Sequence, residues 1–393
     1  MFNHSRYDAL VVGARCAGAA TAMLMARCGL KVLVIDRGRY AADTTSTHAL
    51  MRGGVMQLHR WGLLPRIVAA GTPAVRSTEF HYGEDVVQVG IRPQHGVEAL
   101  YAPRRTLLDS TLVDAARAAG AEVRHGCTLA ALVRDTNDRV SGAVILDDGG
   151  QSVAVTTDLV VGGDGIGSTV ARLTGARVQW EGRYATAVIY GHCRGLRAAG
   201  YTWYYREGIS AGVIPTNGGA HCVFVAVPPA RFRDEIRHDI AAGYSRALAD
   251  LSASLGADVA SARFEGALSV FAGRRGYLRE AWGPGWALVG DAGYFKDPLT
   301  AHGMTDALRD AELLAVAAVR GSASALAAYA AQRDDLSRAL FEVTDAIASF
   351  AWDLDTIRQW HMKLNTAMRR EVEYIGRLSP LGLQSRYGQE KAA

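Results

Sequence analysis

The chain has 393 residues, of which 49% are hydrophobic, and its 43 basic and 39 acidic residues give a formal net charge of +4. This length exceeds what one hydrophobic core normally holds, so we expect two or three lobes. No block of like charge occurs, which disfavours a nucleic-acid partner or a polybasic membrane surface and favours a small-molecule partner.

No stretch of the sequence predicts export or membrane insertion. No apolar run reaches the roughly 20 residues that span a bilayer, and the N-terminal residues do not resemble a signal peptide. We therefore expect a cytoplasmic protein without a membrane span. The five cysteines are widely spaced, which predicts neither disulfides nor a zinc site, and we expect no metal.

Residues 7–37 predict a strand, a glycine turn, a helix and a second strand. The turn GARCAG keeps the first and third glycines of a dinucleotide-binding fingerprint, Gly13 and Gly18, but has Arg15 at the second position. The free N–H groups of the helix start would face a pyrophosphate. Asp36 ends the second strand, where a carboxylate accepts hydrogen bonds from a ribose. We predict dinucleotide binding here rather than an ordinary packing turn.

A polar loop over the cofactor is predicted for residues 37–52. His48 and Arg52 could place a charge near a reactive ring, although such loop residues more often contact solvent or backbone carbonyls. A helix is predicted from about Gly53. Residues 79–91 then alternate between apolar and polar side chains, which predicts the start of a second, β-rich lobe.

The next residues again have the spacing of apolar side chains that predicts helices and strands of the first lobe. A helix is predicted for residues 105–119, and Arg105 begins it, where the helix dipole disfavours a cation. An anionic partner or a cofactor would remove that mismatch, and the neighbouring Arg104 could serve instead. A hairpin follows around residues 147–150.

A second strand, glycine turn and helix unit lies in DLVVGGDGIGSTVARLTG. Asp164 and Gly165 lie inside its glycine run, where the backbone can approach a ligand closely. A structural turn is one interpretation. We favour the interpretation that this unit forms another wall of the predicted dinucleotide site.

Residues 183–228 contain four short apolar or aromatic runs, which predict an antiparallel sheet. An aromatic stripe is more often core than pocket wall. A helix is predicted for residues 231–255. Five side chains of the sheet would alternate between its two faces: Tyr190, Trp203, Tyr204, Tyr205 and Pro215.

A third candidate ligand-binding segment lies in GPGWALVGDAGYFKDPLTAHGM. We call this segment, the glycine turn of residues 13–18 and the glycine run around Asp164 the three anchors. Asp291 follows a short strand, and after a loop containing Pro298 a helix is predicted to begin near Gly303. That helix start could direct N–H groups at a cofactor carbonyl that gains charge on reduction. The remaining chain is predicted to be helical, with Trp352 and Trp360 packing against the nucleotide-binding lobe.

Together the three anchors resemble those of the FAD-dependent oxidoreductases of the para-hydroxybenzoate hydroxylase fold, a group that also includes flavin halogenases and geranylgeranyl reductases. The first anchor with Asp36 resembles the ADP-binding element of that family. GGDGIGSTVAR resembles its D-G motif, and GDAGYFKDPLTAHGM resembles its G-D motif. The resemblance covers about residues 1–330.

The resemblance implies an α/β fold with a Rossmann-like FAD-binding domain, an interleaved antiparallel-sheet substrate domain and a helical C-terminal segment. The expected boundaries are 1–75, 100–180 and 273–330 for the FAD-binding domain, 76–99 and 181–272 for the substrate domain, and 331–393 for the C-terminal segment.

It also implies residue roles: Asp36 binds the adenosine ribose, Arg105 reaches the polar middle of the cofactor, and Asp291 holds the ribityl chain. No catalytic acid or base is assigned. The residues expected at FAD are Gly13, Arg15, Cys16, Ala17, Gly18, Asp36, Arg37, His48, Arg105, Leu129, Asp164, Gly165, Asp291, Pro298, Gly303 and Met304. Those expected at the substrate are Arg52, Tyr190, Trp203, Tyr205, Pro215 and His302.

Two departures from the family pattern bear on the cofactor. Arg15 replaces the middle glycine, and His302-Gly303-Met304 lacks the second glycine that many hydroxylases have at that helix start. No second glycine fingerprint is present to seat a nicotinamide. NAD(P)H is therefore expected to dock without a Rossmann domain of its own.

The leading prediction is an FAD-dependent monooxygenase that uses NAD(P)H and dioxygen on a small aromatic or polyketide-like substrate. A flavin-dependent reductase or dehydrogenase acting on C=C or C–C bonds is the alternative. Flavin halogenases have a lysine in the middle of the pocket-forming region and a W-x-W-x-I-P motif. A halogenase is disfavoured here because Trp203 has no partner tryptophan and the only lysines are Lys31, Lys296, Lys363 and Lys391. A non-enzymatic flavin-binding protein would need a partner that nothing in the sequence indicates, and the oligomeric state stays open.

Overall fold

The computed structural model describes residues 6–379. Nineteen strands occur in this part of the chain. They are β1 (Arg6–Val12), β2 (Val32–Asp36), β3 (Ser77–Tyr82), β4 (Asp85–Gly90), β5 (Glu122–His125), β6 (Thr128–Arg134), β7 (Val140–Leu146), β8 (Ser152–Gly162), β9 (Val178–Glu181), β10 (Ala187–Arg194), β11 (Tyr201–Arg206), β12 (Ile209–Pro215), β13 (Ala220–Val227), β14 (Arg263–Phe264), β15 (Ser269–Phe271), β16 (Tyr277–Arg279), β17 (Trp282–Gly283), β18 (Trp286–Leu288) and β19 (Tyr294–Phe295).

Eleven α-helices connect or cover these strands within residues 6–379. They are α1 (Cys16–Arg27), α2 (Arg52–Arg60), α3 (Leu64–Ala69), α4 (Arg105–Ala118), α5 (Thr169–Thr174), α6 (Pro229–Arg231), α7 (Ile240–Leu251), α8 (Ala253–Ser261), α9 (Gly303–Arg320), α10 (Ala323–Ala348) and α11 (Leu354–Arg377). None of the helices in the described part is long and apolar enough to cross a membrane.

The first sheet has the strand order β17-β18-β8-β1-β2-β5, with the β6-β7 hairpin added beside β8. Its central strands β18, β8, β1, β2 and β5 run parallel. Both faces of β1 are buried: Ala9 and Val11 pack into one core, while Leu10 and Val12 pack into another. Continuous apolar strands of this kind are typical of a parallel sheet that is covered on both faces. The predicted βαβ unit is thus present.

The second sheet has the order β14-β10-β13-β12-β11-β3-β4, with β15 beside β10. All its pairs are antiparallel except β3 with β11, because the chain between these two strands passes through the first lobe. One face carries Tyr190, Trp203 and Tyr205 toward the shared core with the first lobe. Tyr204 lies on the opposite face, which α7 and α8 cover. The aromatic side chains therefore alternate as predicted.

The single helix predicted for residues 231–255 is wrong. The chain forms the short helix α6, a π-helical turn at Phe232–Ile236, and then two separate helices, α7 and α8. Asp239 accepts a hydrogen bond from the N–H of Ala242, and Ser252 accepts one from Leu255. Each side chain caps a new helix start, and this local capping interrupts the periodic apolar pattern.

Helices α10 and α11 pack beside both lobes, and α10 runs through residue 330, where the boundary of the C-terminal segment is predicted. The predicted packing of Trp352 on the nucleotide-binding lobe is wrong. Its ring lies 6.4 Å from that of Tyr205 on β11 and 5.6 Å from that of Phe350. Arg358 of α11 also pairs with Asp85 of β4 at 2.5 Å. Helix α11 therefore covers the aromatic face of the second sheet.

Candidate functional site

The first glycine turn and the second glycine loop touch through their backbones. Gly13 has φ of +103°, and a Cβ atom there would lie 2.4 Å from the carbonyl oxygen of Gly163. A Cβ atom at Gly18 would lie 1.9 Å from the carbonyl oxygen of Gly13. Both glycines are therefore required by close backbone approach, in keeping with the roles predicted for them.

Arg15 and Asp36 lie at the rim of this turn. The guanidinium of Arg15 is exposed and contacts the hydroxyl of Thr44, which belongs to the polar loop after β2. The carboxylate of Asp36 accepts hydrogen bonds of 2.7 Å from the N–H groups of Ala14 and Gly38. Arg15 thus ties the turn to the following loop without entering it, and Arg37 is exposed.

A buried ion pair lies at the N-terminus of α1. Arg105 is 9% exposed and binds Asp109 of the same helix through its guanidinium, at 3.0 Å. Asp109 also accepts a hydrogen bond from the N–H of Cys16. Burial raises the pKa of the Cys16 thiol to about 12, which makes it unreactive. The structure places Arg105 against Asp109 and close to Cys16.

Asp164 closes the second glycine loop. Its carboxylate accepts hydrogen bonds from the Ser168 hydroxyl at 2.6 Å and from the N–H groups of Thr169 and Val170 at 2.6 and 3.3 Å. Ser168 in turn caps α5. Gly165 has φ of +77° and open space on the side where a Cβ would lie. Leu129, by contrast, is 8% exposed within the core beneath the first sheet.

The third anchor packs directly on the first. A Cβ atom at Gly290 would lie 2.9 Å from Cβ of Ala17 and 3.3 Å from Cβ of Ala307, so α1 and α9 meet there. Burial raises the pKa of the adjacent Asp291 carboxyl to about 6. Apart from its chain neighbours and its own helix, the one atom of residues 6–379 within 4 Å of a Cβ at Gly303 would be Oδ1 of Asp291, at 3.9 Å. The start of α9 is therefore open toward Asp291.

These three turns converge at the N-terminus of α1, and their open sides fit a dinucleotide. The glycine turn places the N-terminus of α1 at this point, Asp36 supplies a carboxylate at the end of β2, and Asp291 supplies a second carboxylate beside the open start of α9. Such groups could hold a pyrophosphate and sugar hydroxyls.

The loop before α2 joins the two lobes close to the start of α9. The N–H of Ser46 donates to the Tyr190 hydroxyl at 3.0 Å, and the Ser46 hydroxyl lies 4.0 Å from Sδ of Met304. His48, which is fully buried with φ of +67°, lies 2.8 Å from His192 between their Nε2 atoms. Burial lowers the pKa of His48, so this pair is neutral near pH 7. Sequence reasoning missed His192.

A cavity of about 1540 Å³ lies between the second sheet, α2 and α11. Its walls are mainly aromatic and aliphatic, including Phe80, Tyr82 and Leu364. Four of the six predicted substrate residues line it, whereas Tyr190 and Pro215 do not. The four are Arg52, Trp203, Tyr205 and His302.

The inner end of the cavity meets the loop before α9. Leu299 and Thr300 line it there, in the 3-10 turn that begins at Pro298. Asp297 accepts the N–H of Leu299 at 3.0 Å and the hydroxyl of Thr186 at 2.6 Å, which fixes this turn on the second lobe. At the cavity mouth Arg52 donates to backbone carbonyls of the loop containing residues 92–97.

A buried network of charges lies behind this loop. His302 binds Glu371 of α11 at 2.6 Å, and Arg309 binds both Glu371 at 2.8 Å and Asp306 at 3.1 Å. Lys296 also pairs with Asp306. His302, Asp306 and Glu371 have ligand atoms within 4.8 Å of one another, but two cations already neutralise these carboxylates, so we assign no metal ligands.

One feature of the sequence indicates this network. Helix α9 is largely apolar, yet it carries four charged residues on buried positions: Asp306, Arg309, Asp310 and Glu312. Buried charges are stable only when paired, so partners were to be expected. Glu371 could not be identified among the other acidic residues without the fold.

Comparisons with known proteins agree with this geometry. A family model described as "FAD binding domain" matches residues 6–344. Probable electron transfer flavoprotein-quinone oxidoreductase YdiS of Escherichia coli is 33% identical over 43% of this chain and 39% of its own length. Menaquinone reductase of Mycolicibacterium smegmatis is 29% identical over 79% of this chain and 76% of its own. Kynurenine 3-monooxygenase of Salinispora arenicola is 33% identical over 43% and 38%. The chain thus spans about two-fifths of two of these relatives.

Solved structures share the fold. A triple mutant of the flavin-dependent brominase Bmp2 superposes with a TM-score of 0.80 at 19% identity, covering 98% of this chain and 99% of that chain. The probable FAD-dependent monooxygenase PqsL of Pseudomonas aeruginosa gives 0.75 at 22% identity, covering 93% and 100%. These likenesses confirm the predicted α/β fold with its FAD-binding and sheet lobes.

Proposed function

The chain belongs to the FAD binding domain family, and on that premise we propose that this FAD-dependent oxidoreductase is a monooxygenase that uses NAD(P)H and dioxygen to oxygenate an apolar organic substrate. The substrate class that suits the cavity is aromatic or polyketide-like. When bound, FAD supplies the redox chemistry: it takes electrons from the nicotinamide and activates dioxygen.

The chain's own residues would bind and orient that cofactor. Gly13 and Gly18 let the N–H groups of α1 approach the pyrophosphate, Asp36 accepts ribose hydroxyls, and Asp291 accepts from the ribityl chain. Gly303 and Met304 would lie under the carbonyl edge of the flavin. The positive end of α9 there favours negative charge, which stabilises the reduced cofactor.

One observation carries the assignment of the substrate site. The inner end of the cavity is formed by Leu299, Thr300 and His302, immediately before Gly303. A ligand in the cavity would therefore lie next to the expected flavin edge. Aromatic walls such as Trp203 and Tyr205 exclude water and can stack on a planar ring.

The proposal is tested by purifying the protein and recording its visible absorbance, then following NADH and NADPH oxidation with and without aromatic or polyketide substrates. We expect bound flavin and a substrate-stimulated rate. A protein that neither contains nor binds flavin would refute the proposal.

A reductase acting on C=C bonds is the second candidate. The alignment with menaquinone reductase covers most of both chains, and the cavity is large enough for a long apolar ligand. Turnover without oxygen, with a quinone or polyene as electron acceptor, would favour this candidate over the monooxygenase.

A halogenase finds less support in the site. Lys31 and Lys363 are exposed, and Lys296 is buried in its pair with Asp306. Lys391 lies outside the described residues. No lysine among residues 6–379 lines the cavity, and the likeness to halogenase structures concerns the fold alone.

A further inference from the structure

His302 is a polar residue at the apolar inner end of the cavity. It is 1% exposed, and it precedes the first residue of α9. Its Nε2 atom lies 2.6 Å from Oε2 of Glu371. Its other ring nitrogen, Nδ1, has no hydrogen-bond partner among the described residues. A buried polar atom without a partner is costly, which makes Nδ1 a candidate ligand contact.

Glu371 determines which ring nitrogen carries the proton. It is fully buried on α11, and its Oε1 atom accepts a hydrogen bond of 2.8 Å from Arg309. Burial alone would raise the pKa of Glu371, but the hydrogen bond from His302 and the charge of Arg309 hold it below its usual value. Because an ionised carboxylate only accepts hydrogen bonds, Nε2 of His302 must be the donor. In the neutral ring, Nδ1 is then a bare acceptor.

The other charges around His302 agree with a neutral ring. Burial lowers the pKa of His302, and the cations Lys296 and Arg309 act in the same direction. Glu371 opposes them, and Asp306 has an oxygen 3.9 Å from Nε2. Asp306 is itself paired with both cations.

We propose that Nδ1 of His302 is a hydrogen-bond acceptor for a hydroxyl or amino group of the ligand, and that Glu371 is the positioning residue that holds it in this tautomer. The ligand would thus be largely apolar, with one O–H or N–H donor at the end that reaches the loop before α9. The inference deepens the proposed function and rests on it for the position of the flavin beside this loop.

The test compares a donor ligand with a matched ligand that lacks the donor. Calorimetry measures the affinities of naphthol and its methyl ether for the FAD-loaded protein. We expect naphthol to bind about tenfold more tightly or better, because an unsatisfied buried acceptor rejects the ether. His302→Leu should remove this preference. His238→Leu is the control and should keep it, because His238 is exposed and does not line the cavity.

Glu371→Gln provides a sharper test. Arg309 would hold the amide oxygen, so the amide N–H₂ would face Nε2 of His302 and move the ring proton to Nδ1. The preference for naphthol should then fall by about tenfold or reverse in favour of the ether. An unchanged preference in both His302→Leu and Glu371→Gln would overturn the inference while leaving flavin content, and thus the proposed function, intact.

A neutron crystal structure of the unmodified protein decides the matter if either variant fails to fold. Deuterium on Nε2 of His302 and none on Nδ1 would support the inference. Deuterium on Nδ1 would contradict it.

Discussion

Single residues set the shape of the cofactor site. Gly13 and Gly18 are predicted from the fingerprint, and the structure supplies the reason: a Cβ atom at Gly13 would overlap the Gly163 carbonyl, and one at Gly18 would overlap the Gly13 carbonyl. Arg15 breaks the fingerprint but lies outside the turn, where it contacts Thr44. The missing glycine is therefore tolerated because that position faces solvent.

Gly13→Ala should destabilise the protein by about 2 kcal/mol or more, because the new Cβ would overlap the Gly163 carbonyl and φ is positive. Gly29→Ala is the matched control: φ there is +85°, but apart from the chain neighbours no atom of the described residues lies within 4 Å of the new Cβ. It should cost about 1–2 kcal/mol from backbone strain alone. Chemical denaturation measures both, and equal losses would show that the contact with Gly163 is unimportant.

Asp291 should make the stability of the flavin-free protein depend on pH. Burial holds its pKa in the folded protein at about 6, above the ordinary aspartate value of 3.8. The unfolded chain therefore loses this proton first, and stability falls as pH rises from about 4 to about 6. Asp291→Asn should raise the melting temperature of the flavin-free protein near neutral pH but not below about pH 4.

The same variant should bind FAD more weakly, because an amide replaces the acceptor expected for the ribityl chain. Thermal melts and flavin retention are measured on one preparation. A variant that melts as wild type at neutral pH and keeps full flavin would show that Asp291 is misassigned.

Secondary-structure elements were predicted best where the signal is local. Each glycine turn lies beside its own strand and helix, so the βαβ unit and the start of α9 follow from neighbouring residues. The break between α7 and α8 was missed because the apolar periodicity continues through it. The side chains of Asp239 and Ser252 accept hydrogen bonds from backbone N–H groups three residues later, so a new helix begins at each of them.

Asp239→Ala should lower the free energy of unfolding by about 1 kcal/mol through loss of the cap on α7. Asp258→Ala, at an exposed position on α8, removes the same charge without removing a cap and should have little effect. Urea denaturation of the two variants gives the comparison. Equal stabilities would mean that the capping bond does not stabilise α7.

At the scale of the whole molecule, the two lobes and α11 together form the walls of the candidate site. The fold class followed from three motifs in order, but contacts between distant residues did not. His48 meets His192 across 144 residues of sequence, and His302 meets Glu371 across 69. A single sequence does not show which distant residues are in contact. The cavity and the buried polar residues at its wall could therefore be identified only from the structure.

We propose that a substrate is oxygenated in the cavity between the second sheet, α2 and α11. The most direct measurement supplies the purified protein with NAD(P)H, an aromatic or polyketide substrate and isotopically labelled dioxygen, then determines the mass of the product. We expect one labelled oxygen atom in the product and no oxygen atom taken from water. A product that forms equally well without dioxygen, or that contains no label, would contradict this proposal.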